Sequence, residues 1–148
     1  ARSTLLKQMR RDIADTSDVL TRIANARNHA KSMVARFELL EQKYSNDLAR
    51  LGATNEGVAF FQELPSVPCP LCGTPTEIQV DPQDLTPAAP AKYRVAIAAE
   101  ADKIRSLRSG LLSALLRETQ RYDTLRVEAE RVAQLKREYQ AARARLAL

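Results

Sequence analysis

Residues 6–51 read LKQMRRDIADTSDVLTRIANARNHAKSMVARFELLEQKYSNDLARL, and neither this stretch nor the five residues before it contain proline or glycine. Apolar side chains recur at alternating steps of three and four: Leu6, Met9, Ile13, Leu20, Ile23, Ala30, Val34, Phe37, Tyr44, Leu48 and Leu51. Thr16, Arg27 and Glu41 occupy the remaining places of the same pattern. Eleven apolar places of fourteen, over six heptads, predict a coiled-coil helix whose stripe must be covered by another helix. Gly52, Asn55 and Gly57 predict its end.

A second arm follows with its own period. Ile97, Ile104, Leu111, Leu125, Val132, Tyr139 and Leu146 repeat every seven residues, with Glu118 the polar member of the series. The companion positions Ala101, Leu107, Leu115, Tyr122, Ala129, Leu135 and Ala142 shift between two offsets. Thr86 before Pro87 predicts the helix start, and Pro90 still fits a first turn that needs no amide donor. Gly110 inside the arm costs about 1 kcal/mol against alanine and reads as a tolerated surface glycine. Each arm would be about 75–85 Å long at 1.5 Å per residue. Neither can bury its stripe alone, so an all-α fold is expected: an antiparallel two-helix coiled-coil hairpin with a small Pro-rich zinc-knuckle apex. The divisions are an ascending arm at 1–52, an apex at 53–90 and a returning arm at 91–148. The register of pairing is not readable, and the arms run to both chain ends without capping patterns, as in a piece of a longer protein.

Composition agrees with long helices and limits the function classes. Aromatic residues are 5% of the chain and tryptophan is absent, which disfavours a large globular core. Two cysteines are too few for a disulfide scaffold, and no stretch reads as a signal peptide or a membrane span. A cytoplasmic location with reduced thiols, and no membrane partner, is expected. The net charge of +5 is unevenly spread: +4 over residues 1–50, −4 over 51–92 and +5 over 93–148. Basic arms can touch nucleic acid without sequence preference, although mixed charges on a solvated coiled-coil surface explain the same pattern. The acidic middle argues against nucleic acid at the apex.

All seven prolines and three of the four glycines lie between residues 52 and 90. Val58, Phe60, Phe61 and Leu64 predict a short helical turn with a small apolar cluster. Val67 and the run Glu77-Ile78-Gln79-Val80 can pair as a short hairpin around the centre of the segment, Pro68-Cys69-Pro70-Leu71-Cys72-Gly73. A two-residue gap between cysteines lets both sulfurs face one zinc ion at about 2.3 Å. Glycine after the second cysteine permits the positive φ such a turn uses. Zinc takes four ligands, so Cys69 and Cys72 form half a site, and a second copy of the turn completes it with one ion per dimer. Two other readings stay open. A dithiol redox site shares the spacing, though it normally opens a helix in a βαβ context, and cysteines also serve as small buried hydrophobes. His29 lies roughly 35 Å down the first arm and is expected to be a surface residue.

The Cys-Pro-Leu-Cys-Gly apex between two coiled-coil arms resembles the zinc hook of SMC-like ATPases of double-strand-break repair. Those are the ATPase subunits of the MRN and SbcCD nuclease complexes, with related ATPases in bacterial anti-phage systems. The resemblance spans the chain in architecture and is specific in sequence over Cys69 to Gly73. It implies that Cys69 and Cys72 are zinc ligands and that the apices of two copies join. It also implies a parent protein with ATPase heads, an associated nuclease and DNA as a partner of the parent, and it adds nucleoid association in a bacterium to the expected location. The apex is longer than a minimal hook, which implies further contacts there. A Gly-rich phosphate loop ending in Gly-Lys-Ser/Thr is absent from these 148 residues, so no catalytic residue is expected in them. The expected interface comprises Phe60, Phe61 and Leu64 with Pro70, Leu71 and Gly73 of the turn. Alternatives from other classes are a thiol redox module on a coiled-coil stalk and a non-specific DNA-binding coiled coil.

Overall fold

The computed structural model describes residues 2–63, 65, 67–75 and 89–147. Two long helices carry the fold, α1 (Arg2–Glu63) and α2 (Ala89–Ala147), packed as an all-α helical hairpin. Among the described residues, no helix is long and apolar enough to cross a membrane. Helix α1 runs through Gly52, Asn55 and Gly57, where its end was expected, and stops two residues before Pro65. A helical glycine costs only about 1 kcal/mol, and the intervening residues 53–56 and 58–63 contain no other breaker. Proline lacks the amide donor and cannot continue the helix. Val58, Phe60 and Phe61 therefore belong to α1 itself and not to a separate turn. Pro90 sits second in α2, where an amide has no partner inside the helix. The expected start at Thr86-Pro87, Leu64, and the Glu77-Ile78-Gln79-Val80 run lie outside the described residues.

The hairpin divides into two compact units, Ala1–Leu39 with Leu111–Leu148 and Leu40–Gly110. In the first, Arg2 Nε donates to the Leu146 carbonyl at 2.8 Å, and the Arg27 guanidinium lies 5.7 Å from the centre of the Tyr122 ring. Ascending α1 thus descends α2, which makes the pair antiparallel. Thr16, Ile23 and Ala30 are buried here at seven-residue intervals, together with Leu111. The Thr16 hydroxyl donates to the backbone carbonyls of Asp12 at 2.9 Å and Ile13 at 3.0 Å, so its polarity is met locally.

In the second unit Ala101 and Ile104 are buried. Arg94 Nε donates to Asn55 Oδ1 at 3.3 Å, and Arg108 reaches Glu41, so this pair is antiparallel as well. All fourteen seam places of α1, including Thr16, Arg27 and Glu41, are buried or half-buried.

The companion series on α2 requires correction. Leu107 and Leu135 are exposed, while Arg108 and Lys136 are half-buried and continue the even period through Ala101, Leu115, Tyr122 and Ala129. Each residue step turns a helix by about 100°, which carries Leu107 and Leu135 off this face, while Ala142 farther along is half-buried as expected. The aliphatic stems of Arg108 and Lys136 can lie along the seam and carry their charges to its edge. Gly110 is exposed, and a Cβ there would meet nothing within 4 Å, in keeping with a tolerated surface glycine.

Glu41 is the most elaborated polar group of the seam. Its Oε1 accepts Arg108 Nη2 at 2.6 Å, Arg108 Nε at 2.8 Å and Ser45 Oγ at 2.9 Å. The hydrogen bonds from Arg108, then from Ser45, hold its carboxyl below the ordinary 4.5, against a smaller opposing effect of desolvation. A carboxyl lowered on folding stabilises the fold fully above its unfolded value and loses that contribution as the pH falls through its folded value. Glu41→Gln should therefore lower the thermal midpoint at about pH 7, and the gap from the unaltered protein should close as the pH falls below the ordinary 4.5 and through the lowered value of the folded state. Circular dichroism melts across that range provide the check. A gap of constant size would remove the carboxylate charge as its cause.

Candidate metal knuckle

Beyond Glu63 the backbone makes a tight reversal over residues 68–75. Pro68 and Pro75 face each other in an isolated antiparallel bridge. Neither proline can donate, and the bond beside them runs from the Cys69 N–H to the Thr74 carbonyl at 2.9 Å. Inside this bond the Gly73 N–H donates to the Cys69 carbonyl at 2.8 Å, closing a turn through residues 70–72. Gly73 has φ of 71°, and no described residue other than glycine adopts positive φ. A side chain there would meet nothing within 4 Å. The requirement for glycine is one of backbone conformation, since an L side chain in the left-handed region costs about 1–2 kcal/mol.

This reversal holds both cysteines on one short turn, Cys69 half-buried and Cys72 exposed. The Cys72 Sγ–H donates to Thr74 Oγ1 at 3.3 Å. A bond from Cys69 and a bond from Cys72 therefore both end on Thr74. Two thiols separated by a Pro-Leu pair form a soft donor set suited to zinc, and they leave half of a tetrahedron to other ligands. Among the described residues, no group of three or more His, Cys, Asp or Glu side chains is placed to hold a metal. His29 is an exposed residue of α1, as expected.

The expected interface residues fall into two sets. Pro70, Leu71 and Gly73 belong to the turn and are exposed, Leu71 to 96%. Phe60 and Phe61 lie in the last turns of α1, their rings 5.6 Å apart and inclined at 74° in an edge-on contact. They remain 61% and 72% exposed. Phe61 also lines an open apolar groove of about 510 Å³ with Val58, Pro90 and Tyr93. Leu64 lies outside the described residues.

Sequence reasoning passed over Tyr93 and Thr74. Tyr93 is off the seven-residue series of α2, yet its place in the first turns of that helix brings it opposite the last turns of α1. Thr74 carries no periodic signal at all. Its only mark is its position directly after the glycine that reverses the chain.

Gly73→Ala should weaken metal binding by about 1–2 kcal/mol, whereas Gly73→Asn, which tolerates positive φ, should lose less. Competition with a chromogenic chelator measures both. Equal loss in the two variants would show that the space at residue 73 matters and its backbone conformation does not. No family model, no curated protein and no solved structure matches this chain.

Proposed function

We propose that the knuckle joins two copies of this chain through one zinc ion held by Cys69 and Cys72 of each. The arms would be coiled-coil segments of an SMC-like, DNA-acting ATPase of repair or anti-phage defence. The observation that carries the reading is the built turn, which brings two cysteines together beside a leucine left almost entirely in solvent. Ligand arithmetic supports the second copy. The chain contains two cysteines and one histidine, fewer thiolate and imidazole groups than the four a closed structural zinc site takes.

Within the chain the roles divide. Gly73 and the Cys69–Thr74 backbone bond hold the cysteines in one reversal, so little ordering entropy remains to be lost on binding. When bound, zinc supplies bonds to deprotonated thiolates, and its binding free energy becomes free energy of association. Exposed Leu71, Phe60 and Phe61 supply apolar area that a two-fold contact can remove from water. The arms keep their helices through the seam and do not depend on the metal. This part of the parent protein performs no catalysis.

Cys69→Ser and Cys72→Ser should each abolish zinc-dependent dimers while leaving helicity nearly unchanged. Metal analysis of the unaltered dimer should return about half an ion per chain. A dimer of full strength in the serine variants, as judged by sedimentation, would overturn the joint. Metal-free chains with an intact dithiol would favour redox chemistry instead.

The phenylalanines provide a separate check. Phe61→Ala removes a ring that one chain leaves mostly exposed, so the melting of the arms should scarcely change. If that ring is buried on joining, dimer affinity at saturating zinc should fall by up to about 3 kcal/mol, or about a hundred-fold. Lowered melting with unchanged affinity would confine Phe61 to its own hairpin.

A further inference from the structure

We infer that Thr74 is part of the metal site, as the hydroxyl that donates to the Cys72 sulfur once that sulfur is a thiolate. The inference rests on the zinc reading of the knuckle. Thr74 acts on both cysteines by different atoms. Its carbonyl accepts the Cys69 N–H at 2.9 Å, and its Oγ1 lies 3.3 Å from Cys72 Sγ. The left-handed Gly73 between them folds residue 74 back beside residue 72, so the contact is a consequence of the turn.

In the thiol form the Cys72 S–H donates to Oγ1. Metal binding requires loss of that proton, after which Sγ can only accept. A hydroxyl is both donor and acceptor and its hydrogen rotates. Thr74 can therefore reverse the direction of the bond without moving a heavy atom. A hydrogen bond to a charged acceptor is roughly twice as strong as a neutral one, so the contact would be stronger with the metal-bound sulfur. Cys72 is the exposed member of the pair, whereas Thr74 is half-buried. The hydroxyl thus serves the sulfur with less protein around it. Valine at position 74 would keep the shape and lose this bond, and serine would keep the bond.

The test uses the 148-residue chain as the unaltered protein, Thr74→Val and Thr74→Ser, with helicity checked first by circular dichroism. Each is titrated with cobalt(II), whose thiolate charge-transfer absorption reports sulfur ligation, and then with zinc in competition. Thr74→Val should bind zinc about ten-fold more weakly, and Thr74→Ser should match the unaltered protein. The charge-transfer band of Thr74→Val should move to lower energy, because a thiolate without its hydrogen bond is easier to oxidise. Alkylation of the metal-loaded chain by iodoacetamide, in which sulfur displaces iodide, should be several-fold faster in Thr74→Val, since that thiolate is more nucleophilic.

Unchanged affinity, band and alkylation rate in Thr74→Val would overturn the inference while leaving the zinc joint standing. Full binding by Thr74→Val with weak binding by Thr74→Ser would assign residue 74 a role of shape alone and overturn it equally. Absence of cobalt-thiolate absorption in the unaltered protein would overturn the joint, and the role of Thr74 with it.

Discussion

The seam between two helices is the constraint from which the rest of the hairpin follows. Two helices can enclose only a narrow strip between them, and the buried hydrophobic residues are correspondingly few: Ile23, Ala30, Ala101, Ile104 and Leu111. Most other large side chains at the seam are only half-covered, and several leucines and valines of the outer faces remain in solvent. Stability must therefore accumulate along the length of the pair, heptad by heptad, which is why the apolar period is kept so strictly. Among the described residues between the two helices, 65 and 67–75, none is helical and none is buried.

Polar residues in such a seam would be a liability if they stood alone. Thr16 bonds to its own preceding turn, Arg27 lies against Tyr122, and Glu41 gathers Arg108 and Ser45. A polar pair across a seam favours the register that joins the partners, because a slip by one heptad leaves both desolvated and unmet. Glu41 and Arg108 therefore act less as a source of net stability than as a marker of alignment. Glu118 has a different environment. Its Oε2 is buried with no hydrogen-bond partner among the described residues, and Arg121 approaches its Oε1 only to 3.9 Å. Burying such an acceptor without a bond costs about 1–3 kcal/mol, which makes this an unfavourable place along the seam.

Much of this was legible in the sequence because a seven-residue period is a property of the chain itself. All fourteen seam places of α1 could be read in advance, as could the cysteine turn and its need for Gly73. Three features could not. The extension of α1 past Gly52 and Gly57 depended on a balance of about 1 kcal/mol per glycine against the residues around them, and only a proline tips that balance decisively. The seam roles of Arg108 and Lys136 were hidden because a leucine stands one place before each, whereas each has an aliphatic stem long enough to lie half-buried. Register was invisible since hydrophobic places match equally well at every heptad offset. The Glu41–Arg108, Arg94–Asn55 and Arg27–Tyr122 contacts break that degeneracy, and they are recognisable as pairs only after folding.

The charge of the apex limits what kind of joint it can make. Residues 51–92 carry one cation against five acids, so two such segments brought together by a two-fold axis repel each other. In the proposed joint, four thiolates around one divalent ion would leave a further negative balance at the contact. Charge complementarity between copies cannot drive this association, and screening at physiological ionic strength only reduces the opposition. What remains is coordination and apolar contact. Coordination asks for very few residues, which suits a turn that has no core, and Leu71 and Phe61 can contribute area without adding charge. The hydroxyl of Thr74 would, in the proposed joint, offset thiolate charge from within the turn, where no lysine or arginine lies. In the proposed joint, specificity comes from the shape of a small reversal fixed by Gly73, and the arms are free to answer only to their own seam.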